Sequence, residues 1–265
     1  MNELWAILYG LIQGITEFLP VSSSGHLALI PKISGIDDPG VVFDLVMHLG
    51  TALAIIIYYN KDIKALIDEL CLIIKDKSLE KGHFFQNFIV ATFCSFVFIL
   101  LIKNSALAFG RSGTLIGVNL IAFGIIMFVS DLNIENKFSL VDNKSYKRSI
   151  FIGIFQSLAI FPGVSRSGIT LTAARFTGLS RIEASRFSFL LSLPIIFASI
   201  IYKIPDILTG TAIIVNPINI LIGIISSFIF GLLTIHFFVR IISKVGLGIF
   251  TVYRIVLGVL VFYTI

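Results

Sequence analysis

The chain holds 265 residues, 57% of them hydrophobic and only 13% charged, with a mean hydropathy of +1.00. A water-soluble domain of this length could not hide that much apolar surface, so a soluble class is excluded, and about six spans of ~20 residues fit. The net charge of +5 is small; its placement matters more than its size, and no nucleic-acid partner is expected.

The start, Met1-Asn-Glu-Leu-Trp, carries no basic leader, and no small-residue cleavage site follows, so it is expected to belong to the mature fold. Leu4 to Leu19 reads as a helix shorter than a span, stopped by Pro20. A polar Ser-Ser-Ser-Gly gives way to an apolar Leu27 to Ile30, closed by Pro31. Neither arm alone crosses ~30 Å of hydrocarbon, which predicts a re-entrant helical hairpin with its polar tip buried in protein. Val42 to Tyr59 is a first full span, Lys61 to Lys81 a charged loop, Phe84 to Ile102 a second span and Thr114 to Val129 a short third. A polar connector, Ser130 to Arg148, leads to a second hairpin. Its arms are Ile150 to Phe161 and Ile169 to Gly178, and its tip is Pro162-Gly-Val-Ser-Arg-Ser-Gly168. Phe187 to Tyr202, Pro217 to Phe238 and Gly246 to Thr264 supply three more spans. The expected fold is an all-α polytopic membrane protein, six full spans plus two re-entrant helical hairpins, forming a single membrane domain over 1–265. Cys71 and Cys94 make neither a disulfide framework nor a metal site and read as apolar filler.

The two hairpins share a frame. An offset of 143 residues lays 10–25 on 153–168 without a gap, and seven of sixteen positions are identical: Gly10/Gly153, Gln13/Gln156, Phe18/Phe161, Val21/Val164, Ser22/Ser165, Ser24/Ser167 and Gly25/Gly168. Glu17 and Ser23 of the first copy face Ile160 and Arg166 of the second. Each repeat (about 4–131 and 150–265) carries three full spans, an odd number, so the second enters the bilayer inverted relative to the first. The loop charges orient the pair. One side collects Lys61, Lys64, Lys75, Lys77, Lys81, Lys137, Lys144, Lys147, Arg148, Arg181, Arg186, Arg240 and Lys244; the other has Lys32, Lys103, Arg111 and Lys203. The richer side is expected to be cytoplasmic, with both termini outside and the two hairpin tips meeting near mid-membrane.

Arg166 is the sharpest chemical signal. Gly163, Ser165, Ser167 and Gly168 surround it with backbone and hydroxyl donors ahead of a helix, a setting that favours an anion. An arginine at depth costs at least ~2.5–3.5 kcal/mol on insertion scales, so it has a ligand or a partner, and the competing structural reading is a salt bridge to Glu17. Gln13 and Glu17, four apart, share a helix face that could hold a divalent cation or position a water. Packing or capping is the other reading of Gln13. Ser22, Ser23 and Ser24 offer hydroxyls or a helix cap; Ser23 is singled out because the second copy replaces it with Arg166. His26, three residues on, is placed to act as base, acid or nucleophile. Asp44 and His48 are read as support for this site, His83 and His236 as interfacial or packing residues, and Gly10 and Gly14 as a close helix contact.

With these motifs the chain resembles the undecaprenyl-diphosphate phosphatase, or bacitracin-resistance, family. Gln13-Gly-Ile-Thr-Glu17 is similar to its (E/Q)xxxE motif, continued by Phe18-Leu-Pro-Val-Ser-Ser-Ser-Gly-His26; Pro162-Gly-Val-Ser-Arg-Ser-Gly-Ile-Thr170 is similar to its PGxSRSxxT motif. Phe187-Ser-Phe-Leu-Leu and Tyr253-Arg254 extend the likeness toward the end. The resemblance implies hydrolysis of undecaprenyl diphosphate, recycling the lipid carrier of peptidoglycan and other envelope polymers. It implies a multi-pass protein of the bacterial cytoplasmic (inner) membrane, active on its outer face, and a homodimer. Glu17, Ser23, His26 and Arg166 are the implied catalytic set, with Gln13, Ser22, Ser24, Ser165, Ser167 and Thr170 around the substrate. The implied cofactor is a divalent cation, Mg2+ or Ca2+, held partly by Glu17 and largely by the diphosphate; Gln13, in place of the acid many members carry, removes one carboxylate from that site. Attack on phosphorus is open to Ser23 with His26 as base, the preferred pair, to His26 itself, or to a water activated by Glu17 or His26. The alternative function is a lipid-phosphate transporter or flippase, since inverted repeats with broken elements are also the mark of alternating access.

Overall fold

Helices account for nearly all of the computed structural model, which describes residues 2–76, 82–109, 112–132, 138–140, 143–208 and 216–264. Lys77, Lys81, Arg111 and Lys137 of the charge count lie outside the described residues. The order is α1 (Glu3–Phe18), α2 (Ser23–Ser34), α3 (Val41–Tyr58), α4 (Asn60–Asp76), α5 (His83–Phe109) and α6 (Gly113–Asp131). It continues with α7 (Tyr146–Ser157), a 3₁₀ turn (Leu158–Ile160), α8 (Arg166–Phe176), α9 (Arg181–Leu208), α10 (Pro217–Val245) and α11 (Gly248–Thr264). Local chemistry sets several boundaries. Asn2 caps α1 by accepting the Trp5 amide at 3.0 Å. Asn216 caps α10 ahead of Pro217, whose ring is preset for a first helical position. Gly35, at φ 69°, closes α2 in the left-handed conformation. Pro31 lies inside α2 rather than ending the arm.

Four helices are long and apolar enough to cross a membrane alone: His83–Ala106, Gly113–Asp131, Arg181–Pro205 and Pro217–Val245. The expected first span is α3, which turns through 76° into α4. The stretch expected as a charged loop from Lys61 is therefore helical as far as Asp76. It is amphipathic: Leu66 is buried, Ile63, Leu70 and Ile73 half-buried, and lysines and acids share the remaining surface with Ile67, Leu72 and Ile74. The last expected span, α11, has 17 residues, about 26 Å at 1.5 Å per residue and so slightly short of the hydrocarbon thickness. Large apolar side chains point outward on the spans, Phe93 at 66%, Leu101 at 70% and Val256 at 61% exposure, while many serines, asparagines and arginines are inside. This is an apolar coat around a polar interior, the arrangement a bilayer selects.

Both halves run two short helical arms and then long helices, and the packing is exchanged between them. The first arm of each half lies against the second long helix of the other: α1 on α10, α7 on α5. Glycines permit the first approach. A Cβ at Gly14 would come within 2.8 Å of Gly231 N and Ser227 O, and one at Gly10 within 2.7 Å of Ser226 Cβ, so the close-packing reading of this pair holds. Ser226 Oγ seals the contact by donating to Ile7 O at 2.8 Å.

Candidate active site

The two hairpin tips carry the same unusual backbone. Ser22 (φ 72°, ψ 96°) and Ser165 (φ 72°, ψ 110°) are the non-glycine residues of positive φ among the described residues, and they occupy equivalent places in the repeat. Cβ disfavours this conformation by about 1–3 kcal/mol, so surrounding contacts must impose it. In each tip the strained serine meets the serine two residues on, Ser22 Oγ to Ser24 Oγ at 3.1 Å and Ser165 Oγ to Ser167 Oγ at 3.4 Å. Each turn delivers the first residue of a helix: Ser23 opens α2 and Arg166 opens α8.

The tips touch. Gly163 N donates to Ser24 Oγ at 3.3 Å, and Ser167 Oγ donates to Leu19 O at 3.2 Å. Behind them, the fully buried Arg254 of α11 reaches both: Nη1 to Pro20 O at 3.4 Å, Nη2 to Gly163 O at 3.1 Å and Val164 O at 2.9 Å, with Nε on Leu120 O at 3.1 Å. Gly168 is required by this brace, since a Cβ there would stand 2.8 Å from Arg254 Nη1.

Glu17 is the hub of the contact. Its Oε1 pairs with Arg166 Nη2 across the two hairpins. Its Oε2 accepts Gln13 Nε2 at 2.8 Å and Ser23 Oγ at 3.2 Å, and stands 3.3 Å from His48 Nε2. His48 is oriented by Nδ1, 2.8 Å from Asp44 O. Glu17, Ser22, Ser23, Ser24, Asp44, His48, Ser165, Arg166 and Ser167 line a cleft of about 180 Å³. The N-terminal turns of α2 and α8 thus form two of its walls, each presenting a positive dipole end. A larger cavity of about 560 Å³ adjoins it, sharing His48 and Arg166 and lined mainly by apolar side chains such as Leu45, Phe96, Ile99, Ile195 and Ile196, with Lys103 and Lys203 also on its wall.

Other residues singled out in the sequence lie away from the cleft wall. Gln13 is fully buried behind Glu17, and its Oε1 has no hydrogen-bond partner among the described residues. Thr170 Oγ1 donates to Arg166 O at 2.8 Å and contacts Gln156 Oε1 at 3.3 Å, supporting the turn from beneath. His26 is on the far side of the tip: Nδ1 is 2.8 Å from Ser22 O and Nε2 2.7 Å from Tyr253 Oη. Ser23 and His26 are therefore not brought together; the group facing the Ser23 hydroxyl is Glu17.

Comparison with known proteins places this site in a family. The model of the bacitracin resistance protein BacA family matches residues 6–260. The chain belongs to that family. Among its relatives, proteins named undecaprenyl-diphosphatase from Saccharophagus degradans and Alcanivorax borkumensis are 40% and 38% identical over 258 and 260 residues, covering 97% and 98% of this chain and 96% and 97% of theirs. Another of that name, from Idiomarina loihiensis, is 38% identical over 264 residues, 99% of this chain and 98% of its own length.

Within this BacA-family chain the donor set argues against a cation held by protein alone. The described residues include no group of three or more His, Cys, Asp or Glu placed to share a metal ion. Both Glu17 oxygens are already covered by donors, one of them the Arg166 guanidinium. Two residues are more central than their sequence context suggested. His48 touches Glu17 directly, a role hinted at only by its four-residue spacing from Asp44 on the helix after the hairpin. Arg254 is marked in the sequence by the Tyr253-Arg254 likeness alone, with no sign there that it reaches both hairpin tips.

Proposed function

We propose that the chain hydrolyses undecaprenyl diphosphate to undecaprenyl phosphate and inorganic phosphate, regenerating the lipid carrier for peptidoglycan and other envelope polymers. The observation that carries this reading is the convergence of Arg166, two helix N-termini and a Glu17–Ser23 pair at one end of an apolar cavity. A diphosphate needs positive charge and N–H donors at its non-bridging oxygens, and this cleft supplies both. The adjoining cavity suits the first isoprene units, with the rest of the chain in the bilayer. The same name borne by relatives over their full length supports the substrate assignment.

Catalysis follows from exchange of one ion pair. The arriving diphosphate takes the Arg166 guanidinium from Glu17 by a bidentate, charge-assisted contact. Glu17, relieved of its cationic partner, becomes the base for the Ser23 hydroxyl that already bonds to it. Ser23 Oγ attacks the terminal phosphorus, its proton passes to Glu17, and the bridging P–O bond breaks to release the lipid monophosphate. Water then attacks the phosphoserine phosphorus in line, the bond from phosphorus to Ser23 Oγ breaks, Ser23 Oγ takes back the proton held by Glu17, and the water's oxygen and hydrogens leave with the inorganic phosphate. His48 lies against Glu17 throughout. Once Arg166 has left it, Glu17 together with the diphosphate oxygens would hold a divalent cation, Mg2+ or Ca2+, which would supply charge neutralisation of the phosphoryl oxygens.

The chain is read as one membrane unit of two inverted halves in the bacterial inner membrane, with the cleft open to the outer face. Lys103 and Lys203 on the wall of the apolar cavity support that direction, since both belong to the basic-poor, outer set of loop charges. The experiment is phosphate release from undecaprenyl diphosphate by purified protein in detergent. The enzyme releases phosphate with no gradient present; a transporter that only carries lipid phosphate releases none.

A further inference from the structure

We propose that His26 and Tyr253 are positioning residues for this reaction: together they hold the strained Ser22 turn that aims Ser23 at Glu17. The inference rests on the cleft being the phosphatase site. Ser22 makes no side-chain cap for α2, so something else must hold its positive-φ backbone. Its carbonyl faces His26 Nδ1 at 2.8 Å. A carbonyl only accepts, so Nδ1 carries the hydrogen, and Nε2 is left to accept from the Tyr253 hydroxyl at 2.7 Å. The rings also stack, 5.6 Å apart and 9° from parallel. Both ring nitrogens are then occupied, and neither faces the Ser23 hydroxyl.

The second tip shows what is special about the first. There the equivalent strained carbonyl, Ser165 O, accepts the Ile169 amide at 2.8 Å, and the Ser165 hydroxyl accepts the Gly168 amide at 3.2 Å. Ile169 stands where the first copy has His26. The imidazole thus supplies on the Ser22 carbonyl the contact that the Ile169 amide supplies on the Ser165 carbonyl, and in the first tip no serine cap adds to it. Tyr253 and Arg254 are neighbours on α11, and between them they tie this helix to both tips. Loss of the tie lets Ser22 relax toward ordinary backbone angles, which turns Ser23 away from Glu17.

The distinguishing variant is His26→Asn. An asparagine Nδ2 sits where the histidine Nδ1 does and can donate to Ser22 O, but it cannot carry a proton through the reaction. Phosphate release should fall at least ~10²-fold in His26→Ala, whereas His26→Asn keeps kcat within about tenfold of wild type with an unchanged kcat–pH profile. Tyr253→Phe should lower kcat several-fold in the wild-type background and have no further effect on His26→Asn, which cannot reach the tyrosine. An Asn variant as inactive as the Ala variant at wild-type Tm, or one that loses a limb of the pH profile, overturns the proposal in favour of proton transfer by His26. Should the Asn variant not fold, Tyr253→Phe decides alone: wild-type kcat overturns the proposal, a drop with an unchanged pH profile supports it. A wild-type protein that releases no phosphate sinks the parent reading and this one together.

Discussion

Arg166 and Glu17 neutralise each other across the cleft, and the proposed reaction separates them. That gives the two residues different kinetic signatures. Arg166→Lys keeps the charge but not the fork, so kcat/KM should drop ~10²-fold or more, as for loss of one transition-state donor; the Tm of the detergent-solubilised protein should stay close to wild type. Glu17→Gln releases Arg166 but removes the base. Its phosphate-release kinetics should show kcat down ~10²-fold or more with KM unchanged or lower, because the arginine no longer has to leave a carboxylate. Equal losses in binding and turnover for Glu17→Gln would contradict the exchange. Much of this was legible in the sequence: an arginine and a glutamate in corresponding hairpins of a membrane chain needed each other or a ligand, and the geometry lets them have both in turn. The part of His26 was not legible. A histidine three residues after a serine on a helix belongs near it, but its ring nitrogens are taken by Ser22 O and Tyr253 Oη, and the left-handed turn that offers this carbonyl leaves no mark in a Ser-Ser-Ser run.

At the scale of elements, the short arms could be recognised because proline and polar tips interrupt stretches too brief to span a bilayer. α4 could not. Its charges, spaced along an amphipathic helix, look like a loop when only hydropathy is read, and the 76° turn at its start depends on packing against α5. The arms are held by close backbone approach, which makes glycine the sensitive position. Gly14→Ala puts a methyl against the backbone of Ser227 and Gly231 and should destabilise by about 1–3 kcal/mol, the usual range for overpacking. A lowered Tm with kcat per folded molecule retained is the expected result; an unchanged Tm would mean that α1 and α10 separate easily.

For the whole molecule, the cleft lies between halves that are tied at a second, distant point. Asp131 at the end of α6 pairs with Arg175 of α8 at 3.1 Å and Arg181 of α9 at 2.8 Å, and accepts Leu247 N at 2.9 Å. Arg175 is buried, so Asp131→Ala takes a carboxylate partner from it, a loss of about 3–5 kcal/mol in comparable buried pairs. The Tm should fall clearly, while phosphate release per folded molecule stays near wild type because no part of this cluster lines the cleft. The exchanged packing of arms and long helices explains why two remote motifs, 143 residues apart in frame, end in one cavity. The most direct test of that cavity is binding of a prenyl methylene-diphosphonate, which cannot be hydrolysed, measured by calorimetry in detergent on wild type and Arg166→Ala. Wild type is expected to bind it and Arg166→Ala, at wild-type Tm, to lose at least about 10²-fold in affinity; equal affinities would place the diphosphate somewhere other than between the two hairpin tips.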